Sequence, residues 1–172
     1  MVKFIGALFV LFAGTMIGFQ QAAKFAERPK QLRQLVHMLQ RLITEIGYGH
    51  TLLPEALKRA ASTAKGPIAI MFTEAANGLL ESSELSFEEH WKAAIKKYWS
   101  HTSMRSNEQA VLYRLGTSLG ISDTEDQIKN LQLAIDQIKL EDQAAREEQG
   151  RYEAMWKSLG VLTAVLIIIL MM

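Results

Sequence analysis

The chain has 172 residues, a formal net charge of +1 and no cysteine. That length holds one domain with appendages. Balanced charge argues against a nucleic-acid binder, which carries a basic excess. The lack of cysteine excludes disulfide frameworks, cysteine zinc sites and thiol chemistry.

Hydrophobic residues make up 49% of the chain, and both ends concentrate them. Residues 4–19 read FIGALFVLFAGTMIGF, with Thr15 as the polar exception. As a helix they cover about 25 Å, near the lower limit for a membrane span. Lys3 followed by an apolar run also fits a signal peptide. However, no A-x-A cleavage site follows, and the chain continues directly into Lys24, Arg28, Lys30 and Arg33. Residues 1–22 are therefore predicted as a transmembrane helix.

Pro29 is expected to stop or kink a helix leaving the membrane. Leu32, Leu35, Val36, Leu39, Leu42, Ile43 and Ile46 then form one helical stripe, closed by Gly47 and Gly49. Pro54 suits the start of a second helix, whose thin apolar face is Leu57, Ala60 and Ala61. Gly66–Pro67 breaks the chain, and Ile68, Met71, Phe72, Ala75 and Leu79 mark a third helix. Ser86 with Glu89 reads as a capping box for a fourth, carrying Phe87, Trp91, Ala94, Ile95 and Tyr98. A fifth holds Val111, Leu112, Leu115 and Leu119 and ends at Gly120. Ser122 with Glu125 suggests another capping box, opening a sixth helix on Ile128, Leu131, Ile135 and Ile138. From Asp123 to Met172 only Gly150 and Gly160 weaken the helical pattern, so one rod of about 75 Å is expected.

The tail LGVLTAVLIIILMM offers no polar face to water. It reaches a full span with Met155, Trp156 and a snorkelling Lys157. Five basic residues (Lys24, Arg28, Lys30, Arg33, Arg41) follow the first span, and Arg146, Arg151 and Lys157 lead into the second. This asymmetry places the middle of the chain in the cytoplasm. The predicted organisation is all-α: a transmembrane helix at 1–22, a six-helix cytoplasmic bundle at 23–155 and a second transmembrane helix at 156–172. Lys24, Arg28, Trp156 and Lys157 are expected at the membrane interface. The first cytoplasmic stretch is basic, whereas residues 123–153 hold nine carboxylates against four basic groups. Such poles either are solvated faces or set a docking register.

Catalytic signatures are missing. There is no G-x-x-x-x-G-K-[ST] phosphate loop and no H-E-x-x-H pair, and His37, His50, His90 and His101 lie far apart. Residues 116–120, GTSLG, match the string G-x-S-x-G, but a nucleophile elbow needs a strand before the serine. Gly116 and Gly120 fit close helix contact and a helix stop instead. No catalytic residue, metal site or cofactor is assigned, and a non-enzymatic role is expected.

Four separated blocks carry a resemblance. They are Glu27-Arg28-Pro29 with Gln31–Leu35, then Glu45–Thr51 (EIGYGHT), then Leu115-Gly116 with Leu119–Asp123, and Arg151-Tyr152-Glu153 with Met155–Gly160. In this order, with two apolar ends, the chain resembles the stage III sporulation protein AB family of endospore-forming bacteria. One departure is visible. The family usually places a proline straight after the threonine of the Gly-His-Thr turn, whereas here Leu52 and Leu53 precede Pro54.

The resemblance implies membership of an assembly in the mother-cell membrane facing the forespore, needed for late forespore gene expression. It also implies similarity to the six-helix cytoplasmic domains of type II secretion and type IV pilus platform proteins, which couple a cytoplasmic ATPase to membrane components. The implied partners are a stage III sporulation protein AA-type ATPase, other membrane proteins of the same complex and the bilayer, with no nucleic acid. The candidate docking surface is the turn of Glu45, Tyr48, Gly49, His50 and Thr51. The alternatives are a structural scaffold that never touches the ATPase and a helical domain exported after signal cleavage.

Overall fold

The computed structural model describes residues 26–49, 51–81, 85–120 and 123–171, with the side chains of 153, 157, 160, 161 and 163–171 outside that description. Helix α1 covers residues 26–47. It is followed by α2 (Leu53–Ser62), α3 (Pro67–Glu81), α4 (Phe87–Tyr98), α5 (Ser106–Ser118) and α6 (Thr124–Met171). A single 3₁₀ turn, Trp99–His101, extends α4. Among the described residues there are six α-helices and no strand, as the uniform helical periodicity requires.

The chain divides into two compact units, Lys30–Asp142 and a second formed by the segments before Lys30 and after Asp142. In the first unit α2 packs on α3, α3 on α4 and α4 on α5. The predicted stripe of α1 is its buried face: Leu32, Leu35, Leu39 and Leu42 are removed from water, and Met38 joins them. Each such side chain contributes roughly 1.5–3 kcal/mol by leaving water. In α6, Leu131, Ala134, Ile135 and Ile138 are buried at the expected helical spacing.

Helix starts follow local hydrogen bonding. At α4 the capping box forms as predicted: Glu89 N–H donates to Ser86 Oγ and Ser86 N–H donates to Glu89 Oε2. Glu89 titrates below its ordinary value, chiefly because the Ser86 backbone and hydroxyl bonds favour the carboxylate. The box expected at Ser122 lies outside the described residues. Asp123 caps α6 there, its Oδ1 accepting from Asp126 N–H at 2.8 Å. Of the two outcomes expected at Pro29, a stop or a kink, the stop does not occur: residues 26–30 are helical through it. Pro29 is buried, which removes the apolar surface of its ring from water.

Trp91 forms the centre of the first unit. Its ring lies edge-on to Phe72 at 5.0 Å and tilted to Phe87 at 5.6 Å. Its Nε1–H donates to the Leu112 carbonyl at 2.7 Å, so the buried indole donor is satisfied. Gly116 admits this ring. A side-chain carbon there would lie 2.3 Å from Trp91 Cδ1. The chain then leaves α5 through Gly120, whose φ of +95° is the left-handed conformation that ends helices. The G-x-S-x-G string is thus a packing device. Ser118, the last residue of α5, donates its hydroxyl to the Leu115 carbonyl at 2.9 Å.

In the second unit Arg28 is buried and lies 3.6 Å from Glu148 Oε2. Residues 1–22, predicted as the first span, lie outside the described residues. The predicted second span, 156–172, coincides with the last part of α6, which ends at Met171. Among the described residues no helix is long and apolar enough to cross a membrane.

Candidate functional site

The turn after α1 is built by backbone bonds first. The Thr44 carbonyl accepts from both Tyr48 N–H at 3.0 Å and Gly49 N–H at 3.2 Å, and Thr51 N–H donates to the Glu45 carbonyl at 3.1 Å. This brings Thr51 back over the last turn of the helix. Gly49 is required by the close approach: a side-chain carbon there would lie 2.7 Å from the Glu45 carbonyl oxygen and 2.8 Å from Thr51 Oγ1.

The Glu45 carboxylate then ties the turn to α2. Its Oε2 accepts from Thr51 Oγ1 and from Arg59 Nη1, each at 3.1 Å. Its Oε1 lies 2.7 Å from Arg41 Nη2, one helical turn back. Arg59 also donates from Nε to Glu55 at 3.2 Å. Glu45 is only 5% exposed, so two guanidinium groups and a hydroxyl replace the water it has lost. Burial pushes its pKa up. The Thr51 hydroxyl, the Arg41 charge and Arg59 outweigh that, and the carboxyl titrates below its ordinary value. Arg59 is held more firmly charged by Glu55 first and Glu45 second.

What this bracing presents outward is apolar. Tyr48 is 85% exposed and Leu52 is 80% exposed. Leu52 is the N-cap of α2 and makes no side-chain cap bond. A leucine is a poor residue for that position, so helix initiation does not explain it. Pro54, in the first turn, favours the start of α2 instead.

The structure therefore brings together Glu45, Gly49 and Thr51 as a brace and places Tyr48 outside it; His50 lies outside the described residues. Of the expected interface residues, Arg28 pairs with Glu148, Trp156 lies on α6 half-buried, and Lys157 lies on α6 with its side chain outside the description. Lys24 lies outside the described residues. Sequence reasoning missed Arg41, Glu55 and Arg59. Their signal was the i, i+4 spacing of Arg41 with Glu45 and of Glu55 with Arg59. Both carboxylate oxygens of Glu45 are engaged. Among the described residues no group of His, Asp or Glu is placed to hold a metal ion.

The family model described as stage III sporulation protein AB matches residues 3–172. The stage III sporulation protein AB of Bacillus subtilis (strain 168) is 37% identical over 172 residues, covering 100% of both chains. A solved structure of stage III sporulation protein AB is similar with a TM-score of 0.67 and 34% identity, covering 73% of this chain and 98% of that one.

Proposed function

The chain belongs to the stage III sporulation protein AB family, and from that premise we propose that it is a membrane-held adaptor of a sporulation complex. In this reading the bundle faces the mother-cell cytoplasm. The apolar residues at 4–19 and 159–172 anchor it in the membrane facing the forespore. The bundle docks a secretion-type ATPase of the stage III sporulation protein AA kind and couples it to the membrane proteins of the complex. Hydrolysis belongs to the partner.

The observation that carries this reading is the braced turn. Exposed tyrosine and leucine side chains on a rigid support lose little conformational freedom on binding, which is the economy of a docking contact. Glu45, Gly49 and Thr51 hold the turn, and Tyr48 and Leu52, with His50 between them, meet the partner. The test is clean because the chain has no cysteine of its own. Single cysteines at Tyr48, Leu52 and, as a control at the other end of α1, Ser103, whose N–H donates to Gln31 Oε1, are introduced into the full chain, co-expressed with the ATPase and crosslinked. Adducts from positions 48 and 52 but not 103 are expected. Recovery of the folded adaptor with no ATPase attached would remove the docking role and leave a scaffold.

A further inference from the structure

Exposed apolar side chains gather at one end of the Lys30–Asp142 unit. Short links join α2 to α3 and α3 to α4, and each pair packs together, so these successive helices run in opposite directions. The start of α2, the end of α3 and the start of α4 therefore share one end. The other helices meet them there. A side-chain carbon at Gly120, after α5, would lie 3.2 Å from Phe87 Cβ and 3.6 Å from Leu53 Cδ2. One at Gly47, the last residue of α1, would lie 3.0 Å from Ile128 Cδ1 in the first turns of α6. Beside these contacts stand Tyr48 and Leu52, with Leu80 at 63% and Leu85 at 49% exposure. Glu81 and Glu125, next to Leu80 and three residues before Ile128, are exposed at the rim. Lys92 and Lys129, near the starts of α4 and α6, already lie against Glu88 and 4.0 Å from Asp126.

We propose that this end is one docking face, apolar at its centre and acidic at its rim, and that the ATPase covers Leu80 and Leu85 as well as Tyr48 and Leu52. The matching surface of the ATPase is an apolar patch edged by lysine or arginine opposite Glu81 and Glu125. This extends the docking reading above, on which it rests, from the α1–α2 turn to the link between α3 and α4. Exposed leucines rimmed by charge are the surface that a protein partner covers. Two observations set the occupant apart from lipid and from a second copy. The carboxylate rim repels anionic headgroups and attracts a cationic rim; a second copy brings the same carboxylates, so like charges oppose a face-to-face pair. The connections to the chain's apolar ends also lie elsewhere. The unit is entered at Lys30 and left at Asp142. Both belong to the opposite end, where Gln31 Oε1 accepts from Ser103 N–H and Asn107 Nδ2 donates to Glu141 Oε1. About 27 Å of α6 separates Thr124 from Asp142.

The test uses the full chain in phosphatidylcholine nanodiscs with the purified stage III sporulation protein AA-type ATPase. Single cysteines replace Leu80 and Leu85. A cysteine at Tyr48 reports the docking turn itself, and one at Ile70, an exposed apolar residue near the opposite end of α3, is the control. Adducts with the ATPase are expected from 80 and 85 as from 48, and not from 70. Affinity is then measured for two double variants whose folding is checked by circular dichroism. Leu80→Ser, Leu85→Ser should weaken binding by roughly tenfold or more. Glu81→Lys, Glu125→Lys, which alters only exposed carboxylates, should weaken binding at low salt and flatten its salt dependence. Adducts from 48 with none from 80 or 85 overturn the wider face and leave the docking turn standing. Absence of any ATPase binding to the parent chain overturns both. Undiminished affinity in the two variants overturns the wider face. Adducts between two copies of this chain in place of the ATPase, or displacement of the ATPase by phosphatidylglycerol vesicles, would make the occupant a second copy or lipid and overturn it as well.

Discussion

Replacing Gly116 with alanine sets two physical effects against each other, and the structure decides which wins. In an ordinary exposed helix interior, glycine to alanine stabilises by about 1 kcal/mol. Here the new carbon would lie 2.3 Å from Trp91 Cδ1, 3.0 Å from Nε1 and 3.1 Å from Cγ. Ordinary carbon contacts are about 3.5–4.0 Å, so the indole must retreat by about 1 Å. It has nowhere to go: Trp91 is fully buried between Phe72 and Phe87. Retreat also pulls Nε1 from the Leu112 carbonyl. Overpacking costs about 1–3 kcal/mol, and leaving a buried donor unpaired costs about 1–3 kcal/mol more. After the propensity gain, the net loss is about 1–5 kcal/mol, or a melting temperature lower by on the order of 10 °C. Far-UV circular dichroism of the full chain in detergent micelles reads this directly. The control is Gly150→Ala in α6, where a side-chain carbon meets nothing within 4 Å and stability should rise or stay level. Equal behaviour of the two variants, or a more stable Gly116→Ala, would refute the packing argument.

The brace at Glu45 makes two further predictions. Because its carboxyl titrates below the ordinary value of 4.5, its stabilising contribution is complete above about that pH and is lost as pH falls through the lower folded value. Melting temperatures measured between neutral and strongly acidic pH should therefore decline less steeply in Glu45→Gln than in the parent; parallel curves would show that the carboxylate contributes nothing. Gly49→Ala drives a side-chain carbon against the Glu45 carbonyl oxygen, a backbone atom that cannot swing aside. It should lower stability and abolish crosslinking from a cysteine at Leu52 together, and retention of both would show that the turn has another route.

Much of the fold was legible because helices announce themselves by period. The stripe from Leu32 to Ile46, the Ser86–Glu89 box and the stop at Gly120 all depend on bonds or contacts within a few residues, and the structure shows each one. What escaped depends on partners distant in sequence or on competition between neighbours. Met38 is buried because a second row of α1 also faces inward. Asp123 caps α6 because its carboxylate reaches Asp126 N–H. Glu108 is fully buried and accepts from Arg105 N–H at 2.7 Å. That bond completes a cap whose first residue is an arginine, outside the usual Ser, Thr, Asp or Asn pattern.

The site shows the same division more sharply. Glu45, read from the chain alone, is a charged residue at a helix end beside tyrosine and histidine, and solvent exposure is the ordinary state of such a residue. Its burial follows from a link to Arg59, fourteen positions later, which exists only once α1 and α2 are folded together. Two short-range pairs, Arg41 with Glu45 and Glu55 with Arg59, become one network through that bond. A carboxylate already matched by two guanidinium groups and a hydroxyl has little left to offer a partner's cation. The energetic weight of any contact here therefore shifts to the groups that the brace leaves outside, Tyr48 and Leu52.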